Sequence, residues 1–260
     1  MSEFIRYSVD DGVAVITIDR PERRNAMSYA VLADFHRAVA RAGDDEQVRA
    51  VVVTGAGGAF CAGTDLSDLA ATPASERDRS GRDDQRPSGW ALQRCPKPVV
   101  AAVDGPAVGM GAEFTTQCDV RIASTRARFA WNFVHRGLVP DTGAGSWLLP
   151  RQIGLPAALR LVLSGEFISA DEALRLGYVT EVVEPGELMD AAVAEARRLS
   201  RGSPFAARLA KELIYAGLER DIEDHLAHTR RAMSACFSSE DHREGVAAFL
   251  ERREPRFVGR

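Results

Sequence analysis

Short runs of apolar residues broken by polar gaps set the pattern at the start of the chain. Residues 4–9 and 13–19 are two such runs around Asp11-Gly12, a dipeptide favoured in two-residue hairpin turns, so they predict a pair of strands. Residues 28–41 change period: Val31, Leu32, Phe35 and Val39 recur at helical spacing, and Ser28 stands where an N-cap belongs. Residues 50–54 and 99–103 are short and apolar throughout, as expected of strands covered on both faces. A turn, a helix opening at Gly109 and a strand at 120–123 follow. Strands alternating with helices predict a largely parallel α/β core.

Strand signals stop before Leu188. Residues 188–199, 204–218, 222–233 and 240–252 carry helical patterns, and Arg201-Gly202-Ser203-Pro204 reads as a linker with proline at the next helix start. The chain therefore divides into a core at 1–200 and a helical region at 201–260. The second part is too small to hold much core by itself, so it must pack on its own core or on another subunit. Residues 71–89 are polar and charged, include Pro73 and Pro87, and predict a mobile loop with a poorly specified helix.

Composition narrows the function classes. Hydrophobic residues make up 45% and charged residues 27%, ordinary for a soluble globular chain, and a net charge of −4 gives no footprint for nucleic acid. The start, Met1-Ser2-Glu3-Phe4-Ile5-Arg6, lacks the basic-then-apolar order of a secretory signal. The most apolar stretch, 98–110, is interrupted by Asp104-Gly105-Pro106, so no membrane span is expected. Cys61, Cys95, Cys118 and Cys236 show no CxxC spacing, and His225 and His228 have no acidic pair to complete a metal site. The expectation is a cytoplasmic, reduced protein without a bound metal.

Three glycine-rich stretches exclude the common nucleotide and hydrolase motifs. Thr54-Gly55-Ala56-Gly57-Gly58 follows a strand but lacks the GK[ST] ending of a phosphate-wrapping loop. Gly109-Met110-Gly111-Ala112-Glu113-Phe114 begins like a dinucleotide turn, yet phenylalanine takes the third glycine's place and Glu113 would face any pyrophosphate. In Gly143-Ala144-Gly145-Ser146-Trp147 the serine is misplaced for a nucleophile elbow.

Taken together, the stretches carry a family resemblance. Phe60-Cys61-Ala62-Gly63-Thr64-Asp65-Leu66 resembles the first signature of the enoyl-CoA hydratase/isomerase (crotonase) superfamily. Pro98-Val99-Val100-Ala101-Ala102-Val103-Asp104-Gly105, running on into Gly109-Met110-Gly111-Ala112-Glu113, resembles its second. Arg23-Arg24-Asn25-Ala26-Met27 matches a third landmark, and similarity continues nearly to the C-terminus. The resemblance implies a crotonase-type spiral of ββα units with a helical C-terminal trimerisation region, assembled as homotrimers or hexamers. It implies an acyl-CoA substrate, with no cofactor beyond that coenzyme A.

The resemblance also assigns residues. An enolate-like oxyanion would be held by the backbone N–H groups of Thr64 and Met110, each in a glycine-bordered turn opening a helix, where amides are unsatisfied and the dipole favours negative charge. Coenzyme A would lie along Arg24, Ala26, Ala62, Asp65 and Leu66, with Arg253 or Arg256 near phosphate. Glu113 matches one of two glutamates used by family hydratases, while the other position holds Phe133, which cannot carry a proton. Asp141, in Leu138-Val139-Pro140-Asp141, resembles the catalytic aspartate of the ring-epoxide isomerase of phenylacetate catabolism; capping a helix near Gly143 is its structural alternative. Trp131, Phe133 and His135 alternate as in a strand, which would place Trp131 and Phe133 in the acyl pocket. The implied activity is double-bond isomerisation or hydration of an unsaturated acyl-CoA. The alternatives are acyl-CoA hydrolysis or another displacement through Asp141, and an acyl-CoA-binding protein without turnover.

Overall fold

The computed structural model describes residues 3–71 and 89–260, so nearly all of the loop expected at 71–89 lies outside the described residues. Among them, β1 (Ile5–Asp10) and β2 (Val13–Ile18) form the expected hairpin, with Asp11 and Gly12 both at positive φ in its turn. Helix α1 (Tyr29–Asp44) follows, and its Ser28 hydroxyl accepts from the Val31 amide as an N-cap. Next come β3 (Ala50–Gly55), α2 (Leu66–Ala71), α3 (Ala91–Arg94), β4 (Val99–Val103), β5 (Pro106–Val108) and α4 (Met110–Gln117). The chain continues through β6 (Val120–Ser124), β7 (Arg128–Ala130), α5 (Ala144–Trp147), α6 (Leu149–Ile153), α7 (Leu155–Ser164), β8 (Ile168–Ser169), α8 (Ala170–Arg175) and β9 (Glu181–Val183). It ends in α9 (Leu188–Leu199), α10 (Pro204–Gly217), α11 (Ile222–Ser238) and α12 (Glu240–Glu251).

The main sheet has strand order β1-β2-β3-β4-β6-β9, antiparallel at the first pair and parallel thereafter. A smaller sheet, β5-β7-β8, pairs β5 with β7 in parallel. Alternation explains why β3 and β4 read as unbroken apolar runs. Val51, Val53, Ala101 and Val103 enter one core with Phe35 and Phe114, while Ala50, Val52, Val100 and Ala102 enter another with Leu188, Ala192 and Ala196 of α9. Stacking of Phe35 on Phe114, with centroids 4.9 Å apart, ties α1 to α4 and helps hold the helix that carries Glu113.

The helical tail docks on its own core, and Asp119 anchors its first helix. Asp119 accepts from Lys211 Nζ at 2.7 Å and from the Tyr215 hydroxyl at 2.8 Å, both on α10, and also from the Val99 amide. Even so, Ile214, Ile222, Phe237, Phe249 and Leu250 remain exposed. No helix among the described residues is long and apolar enough to cross a membrane.

One local expectation is corrected. Residues 132–136 form a 3-10 helix (Asn132–Arg136), not a strand, because β7 ends at Ala130 and Gly137 closes the turn in the left-handed conformation.

Candidate active site

Two glycine turns come together where the Cys61–Asp65 segment is held between the 24–27 segment and β5. On one side Ala62 N–H donates to Arg24 C=O at 2.9 Å, Met27 N–H to Gly63 C=O at 2.8 Å, and Asp65 N–H to Met27 C=O at 2.8 Å. On the other, Cys61 N–H donates to Pro106 C=O at 3.1 Å and Val108 N–H to Cys61 C=O at 2.9 Å. Gly63 has φ +95°, and a Cβ there would lie 2.8 Å from the Val108 carbonyl oxygen and 3.5 Å from the Met110 nitrogen. Only glycine permits this approach.

Peptide planarity then directs the next amides. In a trans peptide, C=O and the following N–H point opposite ways. Since Gly63 C=O is turned toward Met27, Thr64 N–H is turned toward the Val108–Met110 side. Gly109 C=O accepts from Glu113 N–H at 3.0 Å along α4, so Met110 N–H emerges from the start of that helix. Phe133 lies close by, with its ring 3.9 Å from where a Gly109 Cβ would sit.

Glu113 stands one turn along α4 and is fully buried. Its Oε2 accepts from the Thr142 hydroxyl at 2.7 Å, and its Oε1 from Gly145 N–H at 2.7 Å. Burial raises its pKa to about 7; the Thr142 hydrogen bond opposes the rise and the negative charge of Asp141 adds to it. Asp141 itself is reached by solvent, yet protein atoms crowd its carboxyl, so it occupies a recess and not a convex surface. This loss of hydration raises it to about 6, against a hydrogen bond from the Thr142 backbone. Its charge also acts on the Cys61 thiol, which burial pushes up to about 12, so Cys61 is a poor nucleophile. Glu113, Asp141 and Cys61 thus share one corner, with two carboxyl groups poised near neutrality.

Three assignments change in the structure. Asp141 does not cap α5; the Thr142 hydroxyl accepts from Ala144 N–H at 3.3 Å instead. Trp131 does not line a pocket. It is fully buried, donates to Thr116 Oγ1 at 3.2 Å, and packs edge-on against Tyr178. Arg253 is committed to Glu244, at 2.6 and 2.9 Å, and so is not a free phosphate ligand. The segments carrying Arg24, Ala26, Ala62, Asp65 and Leu66 do meet, with Arg24 and Leu66 exposed. Asp65 is the structural member, its carboxyl held below the usual range by a 2.7 Å bond from Arg20.

Sequence reasoning missed Thr142, Gly145 and Gln117. The Thr142 hydroxyl joins Glu113 to the Gln117 side chain, which donates to it at 3.3 Å. Gln117 lies four residues after Glu113 on α4, and this i,i+4 spacing was the available signal. Nothing in the spacing of Thr142 or Gly145 marks either as a partner of a buried acid.

The chain and its fold match one family. A family model described as "Enoyl-CoA hydratase/isomerase" matches residues 8–260. The chain belongs to the enoyl-CoA hydratase/isomerase family, and its mixed α/β fold is the expected crotonase type. It is 41% identical to a "Probable enoyl-CoA hydratase" of Rhodobacter capsulatus over 98% of each chain. It is 36% identical to the "1,2-epoxyphenylacetyl-CoA isomerase" of Escherichia coli over 100% of each. The solved enoyl-CoA hydratase of Bacillus anthracis superposes with a TM-score of 0.92 at 33% identity, covering 99% of this chain and 100% of that one.

Proposed function

We propose that this enzyme binds an unsaturated acyl-CoA thioester and shifts its double bond through an enolate, with Glu113 and Asp141 as the proton carriers. The N–H groups of Thr64 and Met110 receive the enolate oxygen, and coenzyme A lies along Arg24, Ala26, Ala62, Asp65 and Leu66. One observation carries the reading: Glu113, its pKa raised to about 7, stands one turn along the helix that Met110 opens, Asp141, raised to about 6, acts on it electrostatically, and apolar Phe133 stands at the Gly109 turn. Moving a proton between the α and γ carbons requires a base that returns the proton it takes, and a carboxyl poised near neutrality does both. Two directed amides stabilise the oxyanion, and loss of one such donor typically costs roughly a hundred- to a thousandfold in rate.

Hydration is the second reading, favoured by the relatives named as hydratases. It needs both an activated water and a protonated α carbon. With Phe133 in place of one acid, Asp141 would have to supply the missing partner. The exposed apolar residues of α10–α12 support a homotrimer or hexamer, and the reading is of a cytoplasmic enzyme that needs no further cofactor.

The test is to measure kcat/KM for a 3-enoyl-CoA and for crotonyl-CoA side by side. Isomerisation faster than hydration is expected. Fast hydration that falls in both Glu113→Gln and Asp141→Asn would replace this reading with the hydratase one.

A further inference from the structure

We infer that Gln117 and Thr142 are positioning residues for Glu113: they make the Thr142 hydroxyl a one-way donor, so that Glu113 can work as a base and any proton it takes up sits on a lone pair that neither Thr142 nor Gly145 occupies. The inference rests on the reading of Glu113 as a proton carrier and adds what directs its proton.

Hydrogen-bond polarity fixes the direction. The Gln117 side chain is buried, and its Nε2 donates to Gly89 C=O at 2.7 Å. A backbone carbonyl can only accept, so the Gln117 atom facing it must be the NH2 group and not the amide oxygen. The same NH2 reaches Thr142 Oγ1 at 3.3 Å. Ala144 N–H, also a donor only, reaches Thr142 Oγ1 at 3.3 Å. The hydroxyl thus receives a donor on each of its two lone pairs, and its single proton is left for Glu113 Oε2, at 2.7 Å. Reversing that last bond, with a protonated Glu113 donating to Thr142, would need a third lone pair on the hydroxyl.

The other oxygen is constrained in the same sense. Gly145 N–H donates to Oε1 at 2.7 Å, and a Cβ at Gly145 would collide with that oxygen. Both Glu113 oxygens therefore face donors that cannot turn round. An ionised carboxyl gains from both, whereas a protonated one must place its proton elsewhere on its edge. Burial and the charge of Asp141 push the other way, and Asp141 is the charged group that acts on Glu113 among the described residues. The Thr142 hydrogen bond is the largest influence opposing them. Without it the carboxyl would keep its proton through neutral pH and serve poorly as a base.

A pH titration followed by infrared difference spectroscopy tests this on the whole enzyme without substrate. The protonated-carboxyl band missing from Glu113→Gln is that of Glu113. Thr142→Val keeps the shape of the side chain and leaves Gln117 its bond to Gly89. It should raise the Glu113 midpoint by about one to two pH units, since a hydrogen bond to a charged group typically contributes that much. Thr142→Ser should restore the parent midpoint, and Gln117→Leu, which frees the hydroxyl to turn away, should raise it by less than Thr142→Val does. A parent-like midpoint in Thr142→Val or in Gln117→Leu, or one raised as far in Thr142→Ser as in Thr142→Val, would overturn the inference. Because no turnover is read, midpoints that move as expected in an enzyme whose rates ignore Glu113→Gln would sink the proposed reaction and leave the direction of the Glu113 proton standing.

Discussion

The Glu113 corner and the cleft lined by Trp90, Trp147 and Tyr215 meet at Thr142 but are built in opposite ways. In the corner, each Glu113 oxygen has a donor, and the Thr142 hydroxyl is tied to Glu113, Gln117 and Ala144. The nearby glycine turn tolerates no Cβ at Gly63. In the cleft the walls are half-buried rings and exposed charges, and the far wall is a helix with no buried residue. Proton transfer requires carboxyl groups fixed to within fractions of an ångström. The contrast is between a corner whose polar groups are each fixed by a partner and a cleft walled by half-buried rings and exposed charges.

The comparison breaks first at Glu113. Glu113→Gln should lower kcat about 10²- to 10⁴-fold whatever the acyl group, because a positioned proton carrier contributes that much. A loss confined to one class of acyl group would mean that Glu113 serves the binding of that group and not proton transfer.

A smaller effect concerns stability. The folded pKa of Glu113 is raised to about 7 from an ordinary 4.5, so between those values the folded state holds a proton that the unfolded state has released. Its contribution is therefore fully present below about pH 4.5 and lost as pH rises through 7. Glu113→Gln removes this penalty and should gain about 2–3 kcal/mol on the parent between pH 5 and pH 8, from 1.36 kcal/mol per pKa unit. Chemical denaturation at both pH values measures it. An equal difference at the two would show that Glu113 is ordinarily ionised in the folded protein.

Much of this was legible in the sequence. Period and turn chemistry predicted the hairpin at Asp11-Gly12, the strand at 99–103 and the four C-terminal helices, and the structure has each within a few residues. The glycine turns at Gly63 and Gly109 were legible through the family resemblance, and both adopt a positive φ in the structure. Residues 131–135 misled, because alternation over so short a span fits a 3-10 turn as well as a strand. The cleft was not legible. It joins Trp90, Trp147 and Tyr215 across three segments far apart in the chain, and no local period reports a contact of that kind.

Enolate formation at the Thr64–Met110 turns is the central claim, and hydrogen exchange at the α carbon tests it most directly. A saturated thioester such as butyryl-CoA would be incubated with the enzyme in D₂O and its α-deuterium content followed by mass spectrometry. The account predicts catalysed deuterium uptake at the α carbon, greatly slowed in Glu113→Gln or Asp141→Asn, whichever carries that proton. No uptake above the uncatalysed rate, or uptake unaffected by either substitution, would contradict it.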